Sequence, residues 1–379
     1  MQGADVIIVG GGMAGASAAY FMSGSRRVVI LEREDQPAYH STGRSAALYT
    51  QTYGNPAIRA LTVGAAPFFE NPPAGFAEYP LVTPRGLLYL ARADQRDILE
   101  KLYEEVRGLT PNVHRLSVDE AMAMCPILRP GYAVAAVSEP DAMDLDVAGL
   151  LQGFLRGFRA RGGQLVTGAE VLALGRVAAG WEVETAAGTF TAPVVVNAAG
   201  AWADRLAGMA GVAPVGLTPK RRTAILVDMP DGIDPMRWPM VCDSAEQFYF
   251  KPEGGRLMVS PADETPSEPC DAQPDEMDIA VAADRFETAT TVPVRRIARR
   301  WAGLRTFAPD KTLVAGFDPA ADGFFWLAGQ GGYGIQTAPA MGRIAAALVE
   351  GGAFPADLAD LGLTAGTLAP RRKVAKGSN

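Results

Sequence analysis

Three glycines near the start of the chain have the spacing of a phosphate-binding turn. Gly10, Gly12 and Gly15 fit the pattern G-x-G-x-x-G. In that pattern the glycines allow a tight turn, close approach of the backbone to a pyrophosphate, and close packing of a helix on a strand. Glu32 lies 22 positions after Gly10, where a carboxylate can accept hydrogen bonds from both hydroxyls of a ribose. The pattern predicts a site for an ADP-containing dinucleotide; the alternative is a glycine-rich turn in another kind of α/β protein.

The residues around these glycines predict the strand–helix–strand unit that such a turn needs. Val6–Val9 and Val28–Leu31 are short apolar runs, typical of buried parallel strands. Ala14–Met22 is rich in alanine and predicts the helix between them. The N-terminus of that helix would offer unpaired N–H groups and the positive end of the helix dipole to phosphates.

The composition is that of a large globular protein with an acidic balance. Of 379 residues, 48% are hydrophobic and 20% are charged, and the net charge of −7 argues against nucleic acid as a partner. Cys125, Cys242 and Cys270 show no C-x-x-C spacing, which favours reduced thiols and a cytoplasmic protein. With only His40 and His114, the chain excludes a histidine-rich metal site, and we expect no metal. No apolar stretch is long enough to predict a transmembrane segment.

Strand and helix patterns of the dinucleotide-binding type recur in three separate parts of the chain. They occur in residues 1–80, 144–215 and 310–379, whereas 81–143 and 216–309 are richer in strand patterns. The predicted fold class is therefore mixed α/β, with a Rossmann-type domain interleaved with an antiparallel-sheet domain. The alternative is one large irregular domain.

Apolar spacing and capping residues predict further helices. Pro56–Glu70, Asp144–Arg161 and Gln336–Glu350 have helical patterns. Ser117-Val-Asp-Glu120 has the form of a capping box at the start of another helix. These helices would pack around the strands that carry the predicted site.

Several longer sequence motifs resemble those of a known family. The most specific are His-Ser-Thr-Gly-Arg-Ser-Ala at 40–46 and Gly-Gln-Gly-Gly-Tyr-Gly-Ile-Gln at 329–336. They are accompanied by Asn-Ala-Ala-Gly-Ala-Trp at 197–202, Pro-Lys-Arg-Arg at 219–222 and Trp-Ala-Gly-Leu-Arg at 301–305. In these motifs the chain resembles the D-amino acid oxidase-like family of FAD-dependent oxidoreductases over nearly its whole length. Within that family its motifs are most similar to those of the D-arginine dehydrogenases.

The resemblance implies a glutathione-reductase-like FAD-binding domain and noncovalent FAD. It also implies oxidative deamination of D-amino acids to 2-oxo acids and ammonia, by hydride transfer from Cα to flavin N5. The electron acceptor would be a quinone, a redox protein or O2. A helix that begins near Gln336 would point its N-terminus at the flavin N1–C2=O edge and stabilise the anion formed there. The alternative for this segment is a turn that only starts a helix.

The resemblance assigns FAD-binding roles to residues in many parts of the chain. The glycine-rich turn, Glu32 and Arg33 would hold the ADP half, and the backbone of Val171 would meet the adenine. The loop at 41–46 would line the pyrophosphate and the isoalloxazine. The full set is Gly10, Gly12, Met13, Ala14, Gly15, Glu32, Arg33, Ser41, Thr42, Arg44, Ser45, Ala46, Val171, Ala199, Gly200, Trp202, Gly303, Gly331, Gly332, Tyr333, Gly334, Ile335 and Gln336.

The resemblance also implies four catalytic side chains around a substrate. Arg222 and Arg305 would hold its α-carboxylate, because a guanidinium offers a planar fork of donors that suits a carboxylate. Tyr249 would complete that site, and Tyr53 lies in the stretch 48–55, which the resemblance identifies as a mobile lid. None of the four is a strong base, which suits hydride transfer from a neutral amine and predicts a pH profile with one ascending limb. The other substrate-binding positions are Leu48, Leu87, Met240, Cys242, Gly332 and Gln336.

The chain departs from the D-arginine dehydrogenases at two substrate positions. Leu87 replaces their glutamate and Leu48 replaces their histidine. A buried cation without its counter-ion is disfavoured, whereas two leucines offer apolar contact worth about 1.5–3 kcal/mol each when fully buried. We therefore expect a preference for neutral, apolar side chains over those of D-Arg and D-Lys.

Two alternatives, one enzymatic and one without catalysis, also fit the sequence. The same carboxylate clamp would serve an FAD-dependent oxidase of secondary amines or a 2-hydroxy acid dehydrogenase. The second alternative is a flavin-binding scaffold without catalytic activity, although such a scaffold has no need of the four polar side chains.

Overall fold

The computed structural model describes residues 2–108 and 112–373, so the last six residues of the predicted segment 310–379 lie outside it. The strands are β1 (Gln2–Gly3), β2 (Val6–Val9), β3 (Val28–Leu31), β4 (Leu48–Tyr49), β5 (Val82–Pro84), β6 (Leu87–Ala91), β7 (His114–Leu116), β8 (Ala135–Glu139), β9 (Met143–Leu145), β10 (Gln164–Val166), β11 (Val171–Val177), β12 (Gly180–Thr185), β13 (Gly188–Ala192), β14 (Val194–Asn197), β15 (Thr218–Val227), β16 (Met240–Asp243), β17 (Tyr249–Glu253), β18 (Arg256–Ser260), β19 (Thr265–Pro266), β20 (Ile297–Phe307), β21 (Val314–Phe317) and β22 (Phe324–Ala328). The α-helices are α1 (Met13–Met22), α2 (Pro56–Glu70), α3 (Arg96–Val106), α4 (Val118–Met124), α5 (Val147–Ala160), α6 (Ala203–Met209), α7 (Glu276–Ala289), α8 (Ala338–Val349), α9 (Ala356–Asp360) and α10 (Ala365–Leu368).

A six-stranded sheet forms the centre of the dinucleotide-type half, in the order β10-β3-β2-β14-β22-β21. All neighbouring strands are parallel except β21 and β22. Along β2, Val6 and Ile8 face the core that includes α1, α5 and α8, whereas Ile7 and Val9 face the core formed with β12 and β13. Both faces of the sheet are therefore buried, which explains why its strands read as continuous apolar runs.

A nine-stranded sheet forms the other half, in the order β19-β15-β18-β17-β16-β6-β8-β7, with β20 paired to β15. It is antiparallel, as predicted, except at one place: β16 runs parallel to β6 and aligns Met240 with Leu87. These two residues come from distant segments, so local alternation did not reveal their pairing. The β15–β20 ladder extends from the pair Thr218–Phe307 to the pair Val227–Ile297.

Two predicted helices begin later than expected. Residues 143–145 form β9, and Asp146 caps α5 by accepting a hydrogen bond from the Gly149 N–H at 2.8 Å. The last predicted helix begins at Ala338 instead of Gln336, because residues 331–337 form successive turns. The capping box at Ser117 and the bounds Pro56–Glu70 are as predicted. No helix in the described part of the chain is long and apolar enough to cross a membrane.

The first glycine turn is required by close backbone packing. Gly10 has a φ of 111°, and a Cβ there would lie 2.4 Å from the Ala198 carbonyl oxygen. A Cβ on Gly15 would lie 1.9 Å from the Gly10 carbonyl oxygen. Gly15 thus lets α1 pack directly on the end of β2, which is the role that the sequence pattern predicts for the third glycine.

The Gly15→Ala substitution should lower the melting temperature by about 1–4 °C, because backbone overpacking destabilises by about 1–3 kcal/mol and a chain of this length unfolds with a large entropy change. Gly24→Ala is the matched control, since no atom lies within 4 Å of the Cβ that it would add. Thermal unfolding followed by circular dichroism measures both variants. Equal melting temperatures for the two would contradict the packing role of Gly15.

Candidate active site

A cavity of about 720 Å³ opens at the carboxyl ends of the parallel strands. Gly10 follows β2, Glu32 follows β3, Ala198 follows β14 and Gln330 lies just after β22, and all four line the cavity. Ligands of open α/β sheets bind at this edge, because the loops and helix N-termini that follow the strands meet there. Helix α1 also begins here, and its first residues, Met13 and Ala14, lie in the wall.

One end of this cavity has groups suited to a ribose and an adenine. The Glu32 carboxylate accepts hydrogen bonds from the N–H groups of Gly11 at 2.7 Å and Glu34 at 3.0 Å, which fix its orientation. Near it, the Arg33 guanidinium lies over the Trp202 ring, 5.1 Å from the centroid. The predicted ADP-binding residues thus lie together at one end.

The other end has backbone turns and an unpaired donor suited to a flavin ring. Gly331 has a φ of 53°, and its N–H donates to the Thr306 carbonyl at 2.8 Å. The buried Gln330 Nε2 lines this wall and has no hydrogen-bond partner among the described residues. A buried donor without a partner costs about 1–3 kcal/mol. A ligand with carbonyl and ring-nitrogen acceptors, as FAD has, would remove that cost.

The loop at 41–46 uses its side chains to connect the dinucleotide-type half of the molecule with the half that contains the nine-stranded sheet. Ser41 Oγ donates to the Leu304 carbonyl at 2.6 Å, and Thr42 Oγ1 accepts from the Met13 N–H at 3.1 Å. The Arg44 guanidinium donates to the carbonyls of residues 272 and 302. These side chains therefore hold the loop in place, and the loop itself forms part of the wall.

Nearly all residues predicted to bind the cofactor line this cavity. They are Gly10, Gly12, Met13, Ala14, Glu32, Arg33, Ser41, Thr42, Arg44, Ser45, Ala46, Val171, Ala199, Gly200, Trp202, Gly303, Gly331, Gly332, Gly334 and Ile335. Three do not: Gly15 lies beneath the turn, Gln336 lines a neighbouring cavity, and the Tyr333 ring packs against the Tyr53 ring with centroids 4.8 Å apart.

A smaller cavity of about 90 Å³ shares a wall with the large one. The common wall contains both predicted arginines, the predicted tyrosine beside them and the glycine-rich turn. Its members are Ser45, Ala46, Arg222, Tyr249, Arg305, Gly332 and Ile335. The smaller cavity is lined by all ten residues predicted for catalysis or substrate binding: Leu48, Tyr53, Leu87, Arg222, Met240, Cys242, Tyr249, Arg305, Gly332 and Gln336.

The β15–β20 ladder brings the two arginines together. Arg222 pairs with Gly303, and Arg305 pairs with Lys220, so the two guanidinium-bearing residues are diagonal neighbours on one face. Gly303 has no side chain to separate them. Arg222 Nε donates to the Asp263 carbonyl at 2.8 Å.

The two guanidinium groups differ in their partners. Arg222 has a carboxylate nearby, Glu264, at 3.3 Å. Arg305 donates instead to the phenol oxygens of Tyr53 at 3.2 Å and Tyr249 at 3.5 Å, and the described residues give it no salt bridge. Burial lowers its pKa, but the neighbouring phenols raise it overall, so this guanidinium stays charged. A positive charge without a counter-ion on the wall between two cavities is suited to an anionic ligand.

The two phenols respond differently to this charge. Burial raises the pKa of Tyr249, but the positive charges of Arg305 and Arg222 outweigh it and bring that pKa below its ordinary value of 10. Burial raises the pKa of Tyr53 and dominates there. The phenol of Tyr249 is therefore the more acidic of the two.

Sequence reasoning missed a carboxylate at the smaller cavity. Glu246, with a φ of 52°, lines it with an exposed side chain, although the substitution at Leu87 led us to expect no carboxylate there. Asp243 also lines it, but its oxygens are held by Arg92 Nη1 at 3.1 Å and Gln95 Nε2 at 3.0 Å. Glu246 lies in a turn between β16 and β17, and no local pattern marks it as a residue of the cavity that Leu87 lines.

Comparisons with known proteins agree on one family. Residues 5–348 match the family described as "DAO: FAD dependent oxidoreductase". The chain is 28% identical to glycine oxidase of Geobacillus kaustophilus (strain HTA426), covering 95% of this chain and 96% of that protein. It is 26% identical to FAD-dependent oxidoreductase domain-containing protein 1 of Xenopus laevis, with coverage of 93% and 80%. It is 26% identical to human mitochondrial sarcosine dehydrogenase, covering 90% of this chain but 39% of that protein.

Solved structures give the same fold. The crystal structure of glycine oxidase from Geobacillus kaustophilus aligns with a TM-score of 0.82 and 25% identity, over 96% of this chain and 99% of that one. L-proline dehydrogenase from P. horikoshii aligns with a TM-score of 0.82 and 21% identity, over 93% and 95%. The predicted α/β architecture and FAD as cofactor are confirmed, whereas the comparisons do not single out the D-arginine dehydrogenases.

Glu32→Ala should raise the dissociation constant for FAD about 10- to 100-fold, through loss of charge-assisted hydrogen bonds to the ribose. Glu170→Ala is the matched control, because its carboxylate lines the same cavity but is 55% exposed. That control should change the constant by less than about threefold. Fluorescence titration of the apoproteins with FAD measures both, and wild-type affinity in Glu32→Ala would contradict the assignment.

Proposed function

Because the chain belongs to this family of FAD-dependent oxidoreductases, we propose that it deaminates D-amino acids with neutral, apolar side chains to 2-oxo acids and ammonia. The observation that carries the proposal is the uncompensated Arg305 guanidinium on the wall between the two cavities. In this proposal residues 1–80, 144–215 and 310–379 belong to the FAD-binding domain, and 81–143 and 216–309 belong to the substrate-binding domain.

The arginine pair would hold the α-carboxylate of the substrate. Arg305 donates to the two phenols from Nη1 and Nη2, and a carboxylate would accept from the N–H groups of the guanidinium that remain, with a full negative charge. Arg222 adds a second positive group on the same face. Binding of the acid group here would place Cα at the wall that the smaller cavity shares with the larger one.

The substrate side chain would then lie in the smaller cavity. Leu48, Leu87 and Met240 offer it apolar surface, and the size of the cavity suits a short branched or linear chain. Glu246 lies at the same cavity, but its carboxylate is exposed, and exposed ion pairs stabilise by only about 0–1 kcal/mol. We therefore retain the preference for apolar over basic side chains. The D configuration of the substrate is supported by the sequence motifs that the chain shares with the D-arginine dehydrogenases.

The residues of this chain would bind and orient the substrate more than they move protons. FAD, when bound, supplies the acceptor for the hydride and its electron pair. The arginines fix the carboxylate, and the phenols of Tyr53 and Tyr249 hold Arg305 in position. The amine enters neutral, so loss of hydride from Cα gives an iminium that water hydrolyses to 2-oxo acid and ammonia. A quinone, a redox protein or O2 would then take the electrons.

Oxidation of secondary amines is the second candidate. The relative that favours it is sarcosine dehydrogenase, whose named substrate is a secondary amine and of whose length this chain covers 39%. The same carboxylate clamp would serve an N-methyl amino acid. The two candidates differ in whether the smaller cavity holds the substrate side chain.

Anaerobic flavin reduction should be at least about tenfold more efficient with D-leucine than with D-arginine, because a buried guanidinium would lack a buried counter-ion. L-leucine is the stereochemical control and sarcosine tests the second candidate. Stopped-flow absorbance at the flavin band measures each rate. A higher efficiency for D-arginine would contradict the apolar preference, and preferential reduction by sarcosine would favour secondary amines.

The structure adds a descending limb to the pH profile that the sequence predicts. As the pH rises, kcat/KM should first increase as the substrate amine loses its proton. It should then fall as Tyr249 ionises below its ordinary pKa of 10, because the phenolate would occupy the arginine pair. Tyr249→Phe should lack this fall.

Tyr53→Phe is the control for that profile. Since the pKa of Tyr53 lies above its ordinary value, this variant should stay active and keep the descending limb. Steady-state kinetics from neutral to alkaline pH measure all three proteins. Loss of the limb in Tyr53→Phe, or its survival in Tyr249→Phe, would contradict the assignment.

A further inference from the structure

Glu139 is a buried carboxylate that the proposed mechanism does not use. It ends strand β8, where it pairs with Leu87 of β6, and 1% of the residue is exposed. No ion pair to Glu139 occurs among the described residues, and burial raises its pKa. A buried carboxylate without a cation is disfavoured unless hydrogen bonds satisfy its oxygens.

Three consecutive residues supply those hydrogen bonds. The Thr50 hydroxyl donates to Oε2 at 2.6 Å and the Thr52 hydroxyl donates to the same oxygen at 2.5 Å. The Gln51 N–H donates to Oε1 at 2.8 Å. Distances of about 2.5–2.7 Å are typical of hydroxyl bonds to an ionised oxygen. The carboxylate thus binds one short segment, residues 50–52, and nothing else in the hydrogen-bond network of the described chain.

The same segment is held on its other sides and leads directly into the site. The Thr50 N–H donates to Gln336 Oε1 at 3.2 Å, and Arg59 Nε donates to the Thr52 carbonyl at 3.2 Å. Tyr53 comes next and meets Arg305. The stretch 48–55, predicted to be a mobile lid, is therefore fastened in this structure, and Glu139 makes three of its contacts.

We propose that Glu139 is a positioning residue: its carboxylate fastens residues 50–52 so that Tyr53 lies across the smaller cavity and contacts Arg305. The anchor itself rests on these contacts alone, and its effect on turnover rests on the proposed function. When the anchor is weakened, the closed arrangement forms a smaller fraction of the molecules. The apparent affinity for substrate then falls in proportion to the fraction of closed molecules, whereas the rate of reaction from the closed complex is unchanged.

Hydrogen exchange of the FAD-loaded protein tests the anchor without a substrate. In Glu139→Gln, amides in residues 48–55 should exchange at least about tenfold faster, and amides of β2 and α1 should be unchanged. Glu184→Gln is the matched control, since Glu184 is an exposed strand glutamate with no side-chain hydrogen bond in the described chain. Thr52→Val removes one donor, keeps the carboxylate and shows the same local change if Glu139→Gln fails to fold.

Kinetics then separate positioning from general stability. With the best substrate found in the flavin-reduction experiment, Glu139→Gln should raise KM at least about tenfold and leave kcat within about threefold of wild type. Unchanged exchange in 48–55 in both variants would overturn the proposal, as would faster exchange throughout the sheets. A fall in kcat at unchanged KM would also overturn it. If the variants show faster exchange only in residues 48–55 but the wild-type protein oxidises no amino acid, the anchor is supported and only the proposed function is overturned.

Discussion

One positive charge in the site has no counter-ion among the described residues, and the proposed binding of an acid group depends on it. The Arg305 guanidinium contacts the phenols of Tyr53 and Tyr249, and no carboxylate pairs with it in the described chain. Its neighbour Arg222 is partly neutralised by Glu264. A negatively charged head group would complete this arrangement, because it brings the counter-charge that the neutral phenol acceptors lack.

Backbone geometry keeps that charge in place. The register of β15 and β20 sets the two arginines diagonally on one face, with Gly303 directly opposite Arg222. The turn at Gly332 also approaches closely, since a Cβ there would lie 2.8 Å from Arg305 Nη1. This turn lies in the wall that the two cavities share, so in the proposed function FAD and substrate would meet at the same backbone segment.

Much of this arrangement could be predicted from local sequence, and the exceptions share one cause. The apolar run Val6–Val9 and its glycine turn define their own structure, because strand pattern and backbone sterics are local properties. All ten residues that the sequence motifs predict for the substrate site line the smaller cavity. By contrast, the parallel pairing of β16 with β6 and the presence of Glu246 at the cavity that Leu87 lines arise from contacts between distant segments. The bonds between Glu139 and residues 50–52 have the same origin. No period or spacing encodes such contacts.

The most direct test compares a substrate that has the acid group with one that lacks it. D-leucine and 3-methylbutylamine have the same carbon side chain and the same amine, and differ in the carboxylate. In anaerobic titrations of the FAD-loaded protein, D-leucine should bleach the flavin band, and 3-methylbutylamine should leave it oxidised at the same concentrations. Equal bleaching by both amines would contradict the claim that the arginine pair holds the substrate by its carboxylate.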